Sequence, residues 1–335
     1  MTLATNTRRR LLRGAAAAAA LAAGGAFMQP ALAQADAYPS KPITIIVPVP
    51  PGGATDALTR KVGEKLQALL GQTVIVESRA GAGGTIAAGY VANAAPDGYT
   101  LLMGFTGSSA ISASLYDKLP FDHRTAFAPI SLIVKAPLVL MPRTGLKTAS
   151  FAEYMQLAKT ATQGVSYASA GNGSTMHLAG AMLAKESGAN LLHIPYKGSG
   201  PALHNLMGGQ VDSMFADLMQ VLPMIRAGQL KALAVTSPER HPLLKDVPTV
   251  AESGFAGYEA ISWHALFAPA GTPPAVVDTL YAAVAKALKS PDMQQHFESL
   301  GLLIEARTPA DTRKFVDSEI TKWAAIVKST GAAQR

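Results

Sequence analysis

From Ile43 onward, short β-branched runs give way repeatedly to a loop of glycine and small hydroxyl residues and then to a helical pattern. That order restricts the chain to an α/β fold with mostly parallel strands. Ile43 to Val49, Thr73 to Ser78 and Tyr99 to Gly104 read as buried strands of a first series. Between the first two, Leu58, Val62, Leu66 and Leu69 recur at helical spacing, which predicts a helix over Thr55 to Leu70 ended by Gly71. A second series comprises strands at Val165 to Ser169, Leu191 to Tyr196, Asp212 to Asp217 and Leu230 to Ser237, with a helix from Ser174 to Ser187 closed by Gly188. The long apolar run Ile130 to Met141 separates the series and contains Lys135-Ala136-Pro137. A proline there predicts a sheet edge or a bend, where the chain passes between domains. A second apolar run, Ile261 to Phe267, reads as the return crossing. Thr272-Pro273 opens a helix, and Thr308-Pro309 with Asp311 opens the last one, which carries Phe315, Trp323 and Val327.

The loops at the strand ends point to a ligand. The first strand runs into Pro51-Gly52-Gly53-Ala54-Thr55-Asp56, the third into Phe105-Thr106-Gly107-Ser108-Ser109, and Val165 to Ser169 into Ala170-Gly171-Asn172-Gly173-Ser174. Tyr196-Lys197-Gly198 comes after the next strand, and Asp217 ends another. Glycine lets backbone N–H groups approach a guest, and a helix start leaves unpaired donors with a partial positive charge. In a parallel sheet such strand ends share one side, so the loops converge on a cleft whose preferred guest is an anion such as a carboxylate. Each helix dipole contributes only ~0.3 to 1 kcal/mol when exposed, so a useful site needs several loops and exclusion of water, which two closing lobes supply. The candidate binding residues are Gly52, Gly53, Ala54 and Asp56; Thr106, Gly107 and Ser108; Ala170, Gly171, Asn172, Gly173, Ser174 and His177; and Tyr196, Lys197, Gly198 and Asp217. Asp56 either complements the helix dipole or orients the ligand, and Asp217 either accepts a ligand amine or hydroxyl or caps the next helix. Ser108 and Asp217 are where ligand preference is expected to be set. Gly53→Pro is expected to weaken all carboxylates alike.

The N-terminus says where this happens. Basic Thr7-Arg8-Arg9-Arg10-Leu11-Leu12-Arg13, the alanine run Ala15 to Ala20 and Ala31-Leu32-Ala33 form the three parts of an export signal over residues 1–33, cleaved before Gln34. The paired arginines fit twin-arginine export as well as the general route. The apolar stretch Gly14 to Phe27 falls short of the ~20 residues that span a bilayer. The expected location is the periplasm. Removing Arg8, Arg9, Arg10 and Arg13 from 29 Lys+Arg leaves 25 against 22 Asp+Glu, which takes away the main support for nucleic-acid binding. With no cysteine there is no disulfide, zinc-thiolate site or thiol nucleophile. The seven histidines are scattered without a His-Glu-x-x-His motif, so no metal is expected.

Tyr38-Pro39-Ser40-Lys41-Pro42-Ile43, Pro51-Gly52-Gly53 with Asp56 and Arg60, Glu77-Ser78-Arg79-Ala80-Gly81-Ala82-Gly83-Gly84 and Pro96-Asp97-Gly98-Tyr99-Thr100-Leu101-Leu102 stand in an order shared with a known family. So do Gly171-Asn172-Gly173-Ser174, His177-Leu178-Ala179-Gly180, Pro195-Tyr196-Lys197-Gly198, Gly208-Gly209-Gln210-Val211, Val247-Pro248-Thr249-Val250 and Ala268-Pro269-Ala270-Gly271-Thr272-Pro273. Over nearly all of the mature chain the sequence resembles the Bordetella-uptake-gene (Bug, or TctC) family, the solute-binding proteins of tripartite tricarboxylate transporters. The resemblance implies a two-lobed type II periplasmic binding fold, with residues 34–134 and 258–335 in lobe 1 and residues 135–257 in lobe 2. It implies a small carboxylate held by the first loop, largely through backbone amides and bridging waters. It also implies delivery to a two-subunit membrane permease driven by an ion gradient, with the binding protein a monomer. Glu77-Ser78-Arg79 departs from the family's usual Glu-Asn-Arg.

Other readings are weaker. Ser174, His177 and Asp217 suggest a hydrolase triad, but no Gly-x-Ser-x-Gly elbow is present and an N-cap serine spends its oxygen on backbone amides. Gly81-Ala82-Gly83-Gly84 looks like a dinucleotide fingerprint but has Ile86 where the third glycine belongs, so no cofactor is expected. The protein is expected not to be an enzyme. A binding protein that presents its ligand to a membrane sensor is the alternative to transport.

Overall fold

The structure, a computed structural model, describes residues 38–333; the export signal expected over residues 1–33 lies outside the described residues. Ten strands and ten helices are present among them. The first series is β1 (Ile43–Val47), α1 (Ala54–Leu70), β2 (Val74–Ser78), α2 (Thr85–Ala92), β3 (Thr100–Phe105) and the short α3 (Ser112–Leu115). A 16-residue strand β4 (Phe127–Pro142) leads to α4 (Phe151–Thr160), β5 (Val165–Ser169), α5 (Thr175–Ser187), β6 (Leu191–Pro195), α6 (Ser199–Met207), β7 (Ser213–Asp217), α7 (Leu218–Arg226) and β8 (Ala234–Val235). Strand β9 (Ile261–Pro269), α8 (Pro274–Leu288), α9 (Pro291–Ser299), β10 (Leu303–Ile304) and α10 (Pro309–Thr330) complete the chain.

The strands lie in the order β2-β1-β3-β9-β4-β7-β5-β6. Apart from a single bridge between Val235 and Thr249, parallel pairing among the described residues lies in two trios, β2-β1-β3 and β6-β5-β7. The strands that cross between lobes join antiparallel, β9 to β3 and β4 to both β9 and β7. One goes over and the other comes back, so they must run in opposite directions. Strand β4 pairs with β9 and β10 along its first part and with β7 and β8 along its second.

Pro137 does not break this strand or push it to an edge, contrary to expectation; it sits centrally, opposite Ile261, where β4 changes partners. Thr236 repairs the ladder there. Its Oγ1 accepts the Leu138 N–H at 2.8 Å, and its own N–H donates to Leu138 O at 3.0 Å. Around Ser131 the register slips, and Thr312 Oγ1 of α10 accepts the freed Leu132 N–H at 2.9 Å. The strand expected over Leu230 to Ser237 is reduced to Ala234–Val235, antiparallel to β4. Likewise Pro273, not Thr272, is the N-cap of α8; the Thr272 hydroxyl donates back to Pro269 O.

The core is continuous across the crossing. Trp263 of β9 and Trp323 of α10 are fully buried, and both indole N–H groups donate to Glu319 Oε2 at 2.9 Å. Helix α10 packs against β4 and α3, and its far end reaches α5, where Lys185 donates to Ser329 O.

Candidate ligand-binding site

All six strands of the parallel trios end towards the crossing. Phe105 at the end of β3 pairs with His264, which pairs in turn with Val134, whereas Asp217 at the end of β7 pairs with Leu138. Val134 and Leu138 are four steps apart on β4, so the two lobes' strand ends are separated by about 13 Å at ~3.3 Å per residue. The candidate loops stand on the two sides of this gap.

In lobe 1 the Pro48 to Gly53 loop feeds α1. Asp56 is 3% exposed, accepts the Gly52 N–H at 3.0 Å and forms a two-pronged bond with Arg60, both prongs at 3.0 Å. Burial opposes its ionisation, but the Arg60 guanidinium and the Gly52 amide outweigh it and hold the carboxyl below the usual range. Asp56 thus fastens the turn, in which Gly52 takes φ +83°, and Arg60 balances the charge that would repel an anion. The Gly52 amide is consumed by this bond, a correction to its expected role as a ligand donor. The amides of Ala54, Thr55 and Asp56 have no partner among the described residues, and no side chain caps the helix. Beneath them Thr55 Oγ1 meets His264 Nε2 at 2.9 Å, and burial pushes that imidazole down to about 4, so it is neutral.

The β3 loop behaves otherwise than its composition suggests. Thr106 Oγ1 accepts the Trp263 N–H at 2.9 Å, tying β3 to β9. Ser108 is fully buried, with its hydroxyl on the Phe105 backbone, and Gly107 lies within a single π-helical turn, Gly107–Ile111. The hydroxyls of Thr106 and Ser108 are spent on the fold, so neither can select a ligand directly.

Lobe 2 brings its candidates together. Gly198 donates to Ala170 O and Tyr196 to Ser169 O, both at 3.1 Å, which draws the β6 loop onto the β5 loop. Ser174 caps α5 by accepting the His177 N–H, and its hydroxyl donates to Gly171 O at 2.7 Å. That proton is therefore engaged, and Ser174 is a cap rather than a nucleophile. The Gly171 amide goes to Ser169 Oγ and the Gly173 amide to His177 Nδ1, each at 3.1 Å, so these expected donors are also internal. Thr175 and Met176 keep free amides, and Asn172 stands exposed at the tip. Lys197 is exposed. Asp217 is partly open to solvent yet closely surrounded; burial raises its carboxyl above the usual range, offset in part by Ser262. It does not cap α7 with its side chain. The two lobes touch where Gly173 lies against Leu115 of α3.

A groove of about 430 Å³ along α10, lined by Arg307, Asp311, Lys314, Phe315 and Ser318, lies elsewhere and gathers no converging backbone donors.

Residues 58–332 match the family model described as tripartite tricarboxylate transporter family receptor. The chain belongs to this family. Its receptor fold matches the solved periplasmic binding protein BugD with a TM-score of 0.81 at 38% identity, covering 89% of this chain and all of that one. It also matches R. palustris Rpa4515 with adipate (TM-score 0.82, 33% identity, 88% and 98% covered). A third match is MatC (Rpa3494) from Rhodopseudomonas palustris with bound malate (0.79, 34%, 87% and 100%). This receptor is thus a two-lobed periplasmic binding protein of the Bug type. Two residues at the receptor's cleft, Thr55 and His264, escape a reading of the sequence as site residues. Thr55 had a signal in lying two places after Gly53, but His264 is an unremarked position in an apolar strand until β9 is paired with β3.

Proposed function

We propose that the protein captures a small aliphatic dicarboxylate in the cleft, with one carboxylate on the free amides of Ala54, Thr55 and Asp56 and the other on those of Thr175 and Met176. The observation that carries this reading is that each lobe presents an uncapped or partly uncapped helix start at the same gap, with Asp56 neutralised by Arg60. Helix starts favour anions, and one in each lobe, following strands that end towards the same crossing, suits a short diacid. Adipate and malate in the two R. palustris relatives are ligands of that kind. Tyr196, Gly198 and Asp217 border the second carboxylate, with Asp217 choosing among ligand backbones through its elevated carboxyl. The protein works as an exported monomer that hands its cargo to a two-subunit permease.

Thermal unfolding of the mature chain against malate, succinate, adipate and their diamides tests this. A ligand at 100 times its Kd adds ~2.7 kcal/mol, and the diamides are expected to add nothing. Ala54→Pro sharpens the test. Proline is tolerated at the first helical position, and Gly53 at ψ 170° already has the extended backbone that precedes it, so only one amide donor is lost. A hydrogen bond to a charged group is worth ~1.5 to 3 kcal/mol, so affinity for every diacid should fall roughly 10- to 150-fold with unchanged melting of the free protein. Binding that survives Ala54→Pro would move the anchor away from α1.

A further inference from the structure

We infer that His177 and His193 are a positioning pair whose unprotonated, stacked rings hold the Ala170–Ser174 loop in its ligand-binding shape, making ligand release acid-sensitive. This rests on the proposed carboxylate cleft. The imidazoles stack at 3.9 Å between centroids and 20° between planes. An amide N–H can only donate, so the bond from Gly173 N to His177 Nδ1 requires a lone pair on Nδ1 and puts that ring's proton on Nε2. His193 Nε2 meets Ser169 Oγ at 2.6 Å, and the same oxygen accepts the Gly171 N–H and reaches Gly171 O, each at 3.1 Å. One ring thus holds Gly173 directly, and the other holds Gly171 through a serine.

The surroundings give a proton no help. Beyond the pair itself, Tyr167 of β5 packs its ring 5.1 Å from His193, and its hydroxyl donates to His177 O. Neither imidazole has an ion-pair partner among the described residues. Lys185 and Glu186 lie at the other end of α5, α10 meets α5 there through Ser329, His204 of α6 and Lys197 after β6 are exposed, and Asp217 closes β7. Burial pushes His177 down to about 4 and, with His177 beside it, His193 down to about 3. For a base lowered in the folded state, the stabilisation is complete above the unfolded value near 6.5 and is lost as pH falls from there through the folded values. Protonated Nδ1 would set N–H against N–H and expel Gly173, the residue that meets Leu115 of the other lobe.

The test compares wild type with His177→Asn, whose Oδ1 can stand in for Nδ1 but does not titrate, and with His177→Phe, which keeps the stack without an acceptor. Malate, succinate and adipate serve as probes from pH 7.5 to 3, and their own protonation affects all variants equally. At pH 7.5, His177→Asn is expected to bind within about threefold of wild type and His177→Phe at least tenfold more weakly. With half of His177 protonated at a midpoint near 4, wild type at pH 4 should have lost about twofold more affinity than His177→Asn, and by pH 3 about tenfold more. Superimposable pH profiles, or wild-type affinity in His177→Phe, would overturn the pair's role. An NMR titration of the ligand-free protein separates this from failure of the carboxylate reading. The Gly173 amide shift should move with a midpoint near 4 in wild type and stay still in His177→Asn, whichever acids bind. A midpoint at the ordinary histidine value would also reject the inference.

Discussion

Gly173→Ala is expected to reduce diacid affinity by about one to two orders of magnitude while the protein remains folded. Two penalties meet at this position. Gly173 takes φ +74°, a left-handed conformation that costs an L-residue roughly 1 to 2 kcal/mol. A Cβ would also overlap Cδ2 of Leu115 and lie 3.0 Å from its Cγ, and forcing an extra methyl into a filled contact costs about 1 to 3 kcal/mol. Leu115 belongs to lobe 1 and Gly173 to lobe 2, so separating the lobes relieves the overlap. The steric penalty therefore falls on lobe closure, and hence on binding, more than on stability. The steric share alone, about 1 to 3 kcal/mol, corresponds to roughly 5- to 160-fold in Kd, while the backbone share falls on stability. Leu115→Ala in the same chain should recover the steric share and leave the backbone share, a coupling that calorimetry on the four proteins of the cycle measures. If Gly173→Ala binds within threefold of wild type, or if Leu115→Ala gives no rescue, the lobes do not meet at this contact when ligand is held.

What the sequence discloses and what it hides divide along local and distant causes. The βα series, the N-cap at Ser174 and the last helix from Thr308 are local, since periodicity and capping chemistry act within a few residues. The amide-rich loops after β1 and β5 are legible for the same reason. The fate of individual donors is not. Whether Gly52 faces a ligand depends on Asp56 and Arg60 closing over it, and Thr106 and Ser108 read as ligand hydroxyls until β9 claims one and the Phe105 backbone the other. Pro137 looks like a breaker because its rescuer, Thr236, comes from about a hundred residues away. The stack of His177 on His193 likewise needs the α5 crossover, which alone sets the first turn of that helix over β6.

Glu319→Leu should destabilise the receptor strongly, lowering the melting temperature by about 4 to 24 °C. The carboxylate is 5% exposed, and one oxygen accepts both indole N–H groups, from Trp263 on the crossing strand β9 and Trp323 on α10. Its other oxygen faces Lys322, which is itself paired with Glu259 at 2.7 Å, so the buried charge is partly balanced at the rim. Leucine fills the space but leaves two buried donors without an acceptor, about 1 to 3 kcal/mol each. At about 2 to 4 °C per kcal/mol for a chain somewhat smaller than this one, the sum gives that range. Glu319→Gln keeps an acceptor oxygen and loses only the charge assistance, which roughly doubles such a bond, so its loss should be less than half as large. Because Trp263 anchors the strand that joins the lobes, Glu319→Leu should also loosen the crossing, seen as faster hydrogen exchange in β9 than in the outer strand β6. Melting of Glu319→Leu at the wild-type temperature would mean that the indoles find other acceptors and that α10 is held by apolar packing alone.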